Sequence, residues 1–510
     1  RGLTRAFDSA ADGAAFEPRG GTFALPFGTL EVAFDPADLL WDGRRLTGFV
    51  PVADLQVRGL HNRYRWPGLG APLAAGTEPL RREQGFQVGP RVKVPVTALL
   101  LLDRPRRQLS AGGLRGTLRL VAATDDEPVS IAGRTVPIEV EPTAALAYTL
   151  STPEVWQTEL AGFLRGDLLR GRPTNLAAMQ PHRPGRFPVV FVHGTASSAG
   201  RWADLVNDLT SDPAIRDRFE FWFFQYETGN PIPYSALQLR DALTAAVERL
   251  DPAGRDPALR EMVVIGHSQG GLLTKMTAID TAEGQFWDRF SRKPPEELRL
   301  RPETRDLLRR ALFIEPLPFV RRLVFVATPH GGSYLTEWSV TGVIARLVRL
   351  PLTLTRATAE LVTLNADALR FDPGRARFGS LFGMTPGSPL ITALADVPVA
   401  PGVAAHSIVA VEGDGPVAEG GDGVVKYASA HIDGVESELV VRSGHSVQGN
   451  PHTVEEVRRI LLLHAGEACA ERGVGCPAPG PEDAPAGAER GERVSGVAGF
   501  RNYASRRGTP

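Results

Sequence analysis

The sequence predicts an α/β domain, a mostly parallel sheet with helices on both faces, preceded by a β-rich domain. Three observations carry this. From Phe187 onward, short apolar runs alternate with helical stretches, the rhythm of a parallel sheet with crossover helices. Within that rhythm, Gly266-His267-Ser268-Gln269-Gly270 stands between an apolar run and a helical run. From Thr22 to about Val140, apolar and polar residues alternate instead, with Pro and Gly at short intervals, as in a small sandwich or barrel.

Taken in order, residues 1–20 are rich in Gly and Ala and read as a flexible arm. Residues 21–150 form the β-rich domain. Val88 to Val96 alternates like a half-buried strand, and so does Leu114 to Ala123, with Leu118 and Leu120 on one face and Arg115, Thr117 and Arg119 on the other. No function is legible in this domain. Residues 151–186 read as a helix and a linker. Val155, Trp156, Leu160, Phe163, Leu164 and Leu168 recur at helical spacing, Gly171 ends the run, and prolines follow up to Pro188.

Residues 187–465 form the α/β domain. Its strands are Phe187 to Val192, Phe219 to Phe224, Met262 to Ile265, Arg322 to Ala327, Ser407 to Val411 and Ser437 to Val441. Helices are expected over Trp202 to Leu209, Ser235 to Leu250, Gln269 to about Thr281 and Thr453 to His464. Two stretches break the alternation, 284–318 and 333–401. They are expected as cap insertions over the active site, at the end where an open sheet binds ligands. In the second, Val340, Val343, Ile344, Leu347 and Val348 form an apolar stripe at helical spacing. Residues 466–510 are rich in Pro, Gly, Ala and charge and are expected to be disordered.

Composition excludes several classes. The chain has 510 residues, 43% hydrophobic and 23% charged, as in a globular protein of more than one domain. A formal net charge of −1 offers no electrostatic case for nucleic acid as a partner. No stretch approaches the roughly 20 apolar residues of a membrane helix. Cys469 and Cys476 are either a small disulfide loop or two free thiols. No His/Cys cluster has ligand spacing, so neither a metal nor an organic cofactor is implied.

The chemistry centres on Ser268. With 54 glycines in the chain, a bare G-x-S-x-G is a weak signal; the strand before it and the helix after it make it a nucleophile elbow. Gly266 and Gly270 remove side chains that would collide in the sharp turn. A serine hydroxyl needs a histidine base, an acid to orient that base and donors for the oxyanion. The acid is assigned to Asp422 in Gly-Gly-Asp-Gly-Val-Val, with Asp414 as the alternative. The base is assigned to His445, just past the last strand, with His452 as the alternative. His267 and His330 are read as packing residues. The oxyanion donors are assigned to the backbone N–H groups of Thr195, after His193-Gly194, and Gln269, directly after the serine.

Residues 187 to about 465 resemble α/β-hydrolases of the lipase/esterase type. The matching pieces are Phe-Val-His-Gly-Thr, Gly-His-Ser-Gln-Gly-Gly, Ala-Thr-Pro-His-Gly-Gly-Ser, Asp-Gly-Val-Val and Gly-His-Ser, in that order. The whole chain resembles bacterial secreted or lipoprotein serine hydrolases with a β-rich N-terminal domain. The resemblance implies the α/β-hydrolase fold with an eight-stranded sheet. Fewer strands are visible from Phe187 on, so the first lie before residue 187 or are missing. It also implies a secreted, periplasmic or cell-envelope location, with a cytoplasmic one still open.

The expected activity is cleavage of a carboxylic ester through an acyl-enzyme, on a hydrophobic ester or lipid substrate, with contact to a membrane or lipid surface as a further expectation. Acyl transfer, thioester or amide cleavage use the same triad, and a non-catalytic binding protein with this fold is the non-enzymatic alternative.

Overall fold

A computed structural model describes residues 15–81, 85–89, 92–123, 129–131, 133–150, 175–333, 351–371 and 383–476. The predicted helix over Val155 to Leu169, the apolar stripe from Val340 to Val348 and the tail beyond residue 476 lie outside the described residues.

The β-rich part carries β1 (Gly21–Leu25), β2 (Gly28–Phe34), β3 (Leu40–Trp41), β4 (Arg44–Pro51), β5 (Ala71–Pro79), β6 (Gln87–Val88), β7 (Val94–Leu102) and β8 (Gly113–Ala122). All but β6 join one open sheet in the order β1-β2-β8-β7-β5-β4-β3. Among the described residues this is a single sheet, not the sandwich or barrel expected from its punctuation. The alternation in β8 holds: Leu118 and Leu120 are buried while Arg115, Thr117 and Arg119 face outward. β9 (Ser130–Ile131) and β10 (Arg134–Thr135) make a small hairpin.

Val88 to Val96 is not one strand. The run divides between Val88 and Val94, and it contains Pro90, which has no N–H to give to a ladder. Its second half enters the first sheet as β7. Val88 at its start belongs instead to β6, which pairs in parallel with β11 (Leu176–Ala178) and so becomes the edge of the second sheet.

The second sheet contains β12 (Phe187–Val192), β13 (Phe219–Phe224), β14 (Met262–His267), β15 (Val320–Val326), β16 (Ala404–Val411) and β17 (Ser437–Arg442). It is eight-stranded, in the order β17-β16-β15-β14-β12-β13-β11-β6. Strands from β12 to β17 run parallel to their neighbours, and β11 is antiparallel to β13. The two strands missing from the count after Phe187 are therefore β11 and β6, both earlier in the chain.

Continuous apolar runs suit strands covered on both faces. All of β12 is buried. Val190, Val192, Trp222 and Val264 pack with Leu239, Leu243 and Leu272, under the helices Ile232–Leu250 and Gln269–Lys275. Val189, Phe191, Val263 and Ile265 pack with Trp202, Leu205 and Leu461, under the helices Ala203–Ser211 and Pro451–Arg472. Each such side chain contributes about 1.5–3 kcal/mol on burial.

The last helix runs on past the expected His464 to Arg472, because Ala465 and Ala468 are small and buried, and it ends at Gly473 in the left-handed region. Cys469 and Cys476 are disulfide-bonded around that end. Among the described residues no helix is long and apolar enough to cross a membrane.

The first insertion does not sit where a cap would. Thr281 donates its N–H to Ile314 O at 2.8 Å, and Leu317 donates to Thr277 O at 2.9 Å. Residues 284–318 thus leave and return beyond the end of the Gln269–Lys275 helix that is remote from Ser268. Their helix Pro302–Leu312 lies beside Ile232–Leu250, with Arg310 paired to Asp241 at 2.6 Å. The second insertion joins it there: Asn365, after the helix Leu352–Leu364, accepts from Arg299 N–H at 2.7 Å and donates to Arg299 O at 3.1 Å. Among its described residues, the later part meets the loop after β15, where Ser333 N–H donates to Met384 O at 2.8 Å.

The β-rich part grips the helix Ala203–Ser211. Tyr64 donates its hydroxyl to Asp208 at 2.9 Å, Asn207 donates to Asn62 O at 2.9 Å, and the Arg216 guanidinium lies 4.1 Å over the Trp66 ring.

On β13, buried Glu220 meets His182. The His182 Nδ1 is 2.9 Å from Glu220 and its Nε2 is 3.3 Å from Asp256. Burial disfavours the charged ring, but the hydrogen bond to Glu220 and the charges of Glu220 and Asp256 outweigh it and raise the pKa above 6.5. A raised folded pKa adds stability that is fully present below the unfolded value and is lost as pH rises through the folded value. The melting temperature of wild type should therefore exceed that of His182→Gln most below the ordinary value of 6.5, with the gap narrowing as pH rises past it. A gap independent of pH contradicts this reading.

Candidate active site

Ser268 follows β14 with φ 53° and ψ −126°, a strained backbone for any residue with a side chain. The glycines around it permit close packing. A Cβ on Gly266 would stand 2.4 Å from Thr274 Oγ1, and one on Gly270 would stand 2.3 Å from Val192 O. The first lets the helix cross tightly over β14; the second lets it lie against the end of β12. The serine therefore sits at the carboxyl edge of the sheet, beside the loop that follows β12.

The three residues assigned to the triad come together. His445 Nε2 is 2.9 Å from Ser268 Oγ, and His445 Nδ1 is 2.7 Å from Asp422 Oδ2. A carboxylate only accepts, so Nδ1 carries the proton and Nε2 accepts from the serine hydroxyl. Asp422 is held by its own loop: Oδ1 accepts from Val424 N–H at 2.9 Å and Val425 N–H at 2.7 Å, leaving Oδ2 for the imidazole. The Asp422 side chain is 1% exposed and that of His445 19%, so the base reaches solvent while the acid does not.

The alternatives lie elsewhere. Asp414 is exposed on a turn whose neighbours Gly413 and Gly415 accept from Arg442 at 2.7 and 2.9 Å. His452 is exposed in the first turn of the last helix, its N–H capped by Asn450 at 3.0 Å. His330 is buried edge-on against Phe325, at 4.7 Å between ring centres. Burial and then the Lys275 charge lower its pKa to about 3, so it is neutral.

Thr195 and Gln269 also meet. The Thr195 hydroxyl donates to Gln269 Oε1 at 2.6 Å, and Gln269 Nε2 donates to Thr228 O at 3.1 Å. Among the described residues no acceptor engages the backbone N–H of either Thr195 or Gln269. A Cβ on Gly194 would stand 2.9 Å from Ser268 Cβ, which places this loop against the serine. His193 stiffens it from below: its carbonyl accepts from the Tyr226 hydroxyl at 2.9 Å, and burial lowers its pKa to about 4.

Two further residues join the site, and only Ser333 lies in a motif that the sequence displays. Thr228, in the loop after β13, accepts from Ala196 N–H at 3.1 Å as well as from Gln269. Ser333 donates its hydroxyl to Val424 O at 3.0 Å, tying the Thr-Pro-His-Gly-Gly-Ser loop to the acid loop. Both contacts depend on which strands are neighbours, which motif spacing does not state. A cavity of about 330 Å³, lined by Trp66, Leu146, Val206, Phe219 and Phe221 among others, lies at the junction with the β-rich part and does not include Ser268.

Comparison with known proteins gives a family match over residues 189–457, to the alpha/beta hydrolase family. No curated protein matches the chain. Among solved structures it is similar to the lipase BlEst2 of Bacillus licheniformis in mature form, at 16% identity and a TM-score of 0.34, covering 57% of this chain and 99% of that one. It is similar to EstA from Clostridium botulinum at 13% identity and a TM-score of 0.32, covering 56% and 88%. It is also similar to phospholipase PlaB from Legionella pneumophila at 12% identity and a TM-score of 0.31, covering 55% and 57%. The family match spans more than half of the sequence and takes in Ser268, Asp422 and His445: the chain belongs to the alpha/beta hydrolase family.

Proposed function

We propose that the protein is a serine hydrolase that cleaves carboxylic esters through an acyl-enzyme. The observation that carries the proposal is the hydrogen-bonded line from Asp422 through His445 to Ser268, at 2.7 and 2.9 Å, on a strained elbow.

Ser268 Oγ attacks the ester carbonyl as His445 Nε2 takes its proton. Asp422 holds the ring in the tautomer that can do this and stabilises the imidazolium that forms. The carbonyl oxygen becomes an oxyanion and takes hydrogen bonds from the N–H groups of Thr195 and Gln269, each worth about 10²–10³ in rate. On collapse, His445 returns the proton to the leaving alcohol. Water then attacks the acyl-enzyme by the same route and releases the acid.

The substrate proposed is hydrophobic. Met384, from the part of the second insertion that meets the loop after β15, is buried, and its carbonyl accepts from Ser333 N–H at 2.8 Å. The Cys469–Cys476 disulfide favours an oxidising compartment. Turnover of a p-nitrophenyl ester, together with trapping by a fluorophosphonate, tests the proposal. A folded protein that does neither contradicts it.

A further inference from the structure

We propose that His267 is a positioning residue for the general base: its Nε2–H holds the main-chain carbonyl of His445 and so sets where the His445 imidazole stands over Ser268. The inference rests on the esterase reading above and deepens it.

His267 is the last residue of β14 and is 5% exposed. Its Nε2 lies 2.9 Å from His445 O. A carbonyl only accepts, so Nε2 carries the proton and Nδ1 is bare. That Nδ1 is buried with no hydrogen-bond partner, facing Gly194, where a Cβ would stand 3.0 Å away. Leaving a buried acceptor unsatisfied is costly, and a leucine would fill the same space without that cost. A residue present only for packing does not explain the donor aimed at His445.

The ring is fixed on every side. Trp202 lies edge-on at 6.4 Å, Gly194 abuts Nδ1, and the His445 ring lies 4.9 Å away, tilted by 47°. The His445 carbonyl also accepts from Val447 N–H at 3.0 Å, a bond that folds the loop on itself. The bonds to Asp422 and Ser268 hold the two ring nitrogens, not the backbone. The bond from His267 ties that backbone to the strand carrying the nucleophile. Because His267 and Ser268 are adjacent, nucleophile and base then shift together and their separation is kept.

Neutrality of His267 is part of the device. The groups facing it are His445, His193 at the end of β12, and Arg201; Asp422 lies beyond His445. Burial first, and then the charges of a protonated His445 and of Arg201, lower its pKa to about 3, against the opposing hydrogen bond to the His445 carbonyl. It stays uncharged when His445 gains its proton, and so does not repel the imidazolium.

The test compares His267→Leu and His267→Gln in the full chain with wild type, on a p-nitrophenyl ester, with melting temperatures in parallel. His267→Leu should lower kcat by about tenfold to a hundredfold, with KM changed by less than about twofold. His267→Gln, whose amide N–H reaches the same carbonyl, should recover most of that loss at a similar melting temperature. If His267→Leu does not fold, His267→Asn replaces it; its amide is too short to reach the carbonyl, and it should show the same kcat loss. Wild-type kcat in the variants without the donor overturns the inference, as does a loss confined to KM, or a Gln variant no better than they are at equal stability. A wild-type protein that neither turns over the ester nor takes up a fluorophosphonate overturns the esterase reading instead.

Discussion

Ser268→Ala should lower kcat for a p-nitrophenyl ester by about 10⁴–10⁶ and leave the protein folded. The loss is large because the hydroxyl is the only atom of the proposed machinery that bonds to the acyl carbon. The oxyanion donors and the binding surface remain, so a small residual rate over water is expected. Folding survives because Oγ has a single hydrogen-bond partner in the described structure, His445 Nε2, and that side chain still reaches solvent. The φ of 53° is unchanged in kind, since alanine meets the same strain as serine. Circular dichroism and the melting temperature check the fold; initial rates check the chemistry. A Ser268→Ala protein with activity within tenfold of wild type contradicts the assignment of the nucleophile.

The second large effect separates the two histidines near the end of the domain. His445→Gln should come close to the Ser268 variant, since it removes the group that accepts the serine proton and returns it to the leaving alcohol. His452→Gln should lose at most a few fold. The reason is geometric. β17 ends at Arg442, and a short loop carries His445 back to within 2.9 Å of Ser268 Oγ. His452 comes after Asn450-Pro451, in the first turn of the last helix, exposed, with its backbone N–H on the Asn450 side chain. It holds no contact with the serine or with Asp422 among the described residues. Initial rates for both variants at neutral pH decide the matter, and a dead His452→Gln beside an active His445→Gln contradicts it.

What was legible in the sequence, and what was not, follows from the range of the interactions. The elbow could be read because strand, turn and helix are consecutive, and the glycine pattern is a local steric demand. His445 could be read because it lies a short loop beyond a strand end, where a parallel sheet brings its loops together; Asp414 lies closer to its strand end than Asp422, and Asp422 is preferred for the Val-Val run after it, which resembles known hydrolases. The bond from His267 to His445 spans 178 residues and leaves no local trace, so His267 reads as a packing residue. β6 escaped notice for a similar reason. Two residues show no period, and their partner β11 lies in sequence beyond the helix Pro142–Leu150. The stretch 284–318 was expected over the active site because an insertion's composition marks it as extra without saying at which end of the sheet it leaves. The bonds between Thr281 and Ile314 show that: one is backbone to backbone, which any residue could make, and the other uses the Thr281 hydroxyl, whose partner lies 33 residues away. The last helix looked finished at His464 because its buried residues beyond are the alanines Ala465 and Ala468, which weaken the apolar pattern without weakening the packing.

The central claim is that Ser268 is an activated nucleophile in this protein as it stands. Incubation of the intact chain with a fluorophosphonate, followed by intact mass and peptide mapping, tests it most directly, because the reagent needs the serine, the base and the oxyanion donors but no knowledge of the natural substrate. The account predicts one adduct per chain, on Ser268, formed in wild type and His452→Gln and not formed in Ser268→Ala. An adduct on a different serine, or none on a folded wild-type chain, would contradict it.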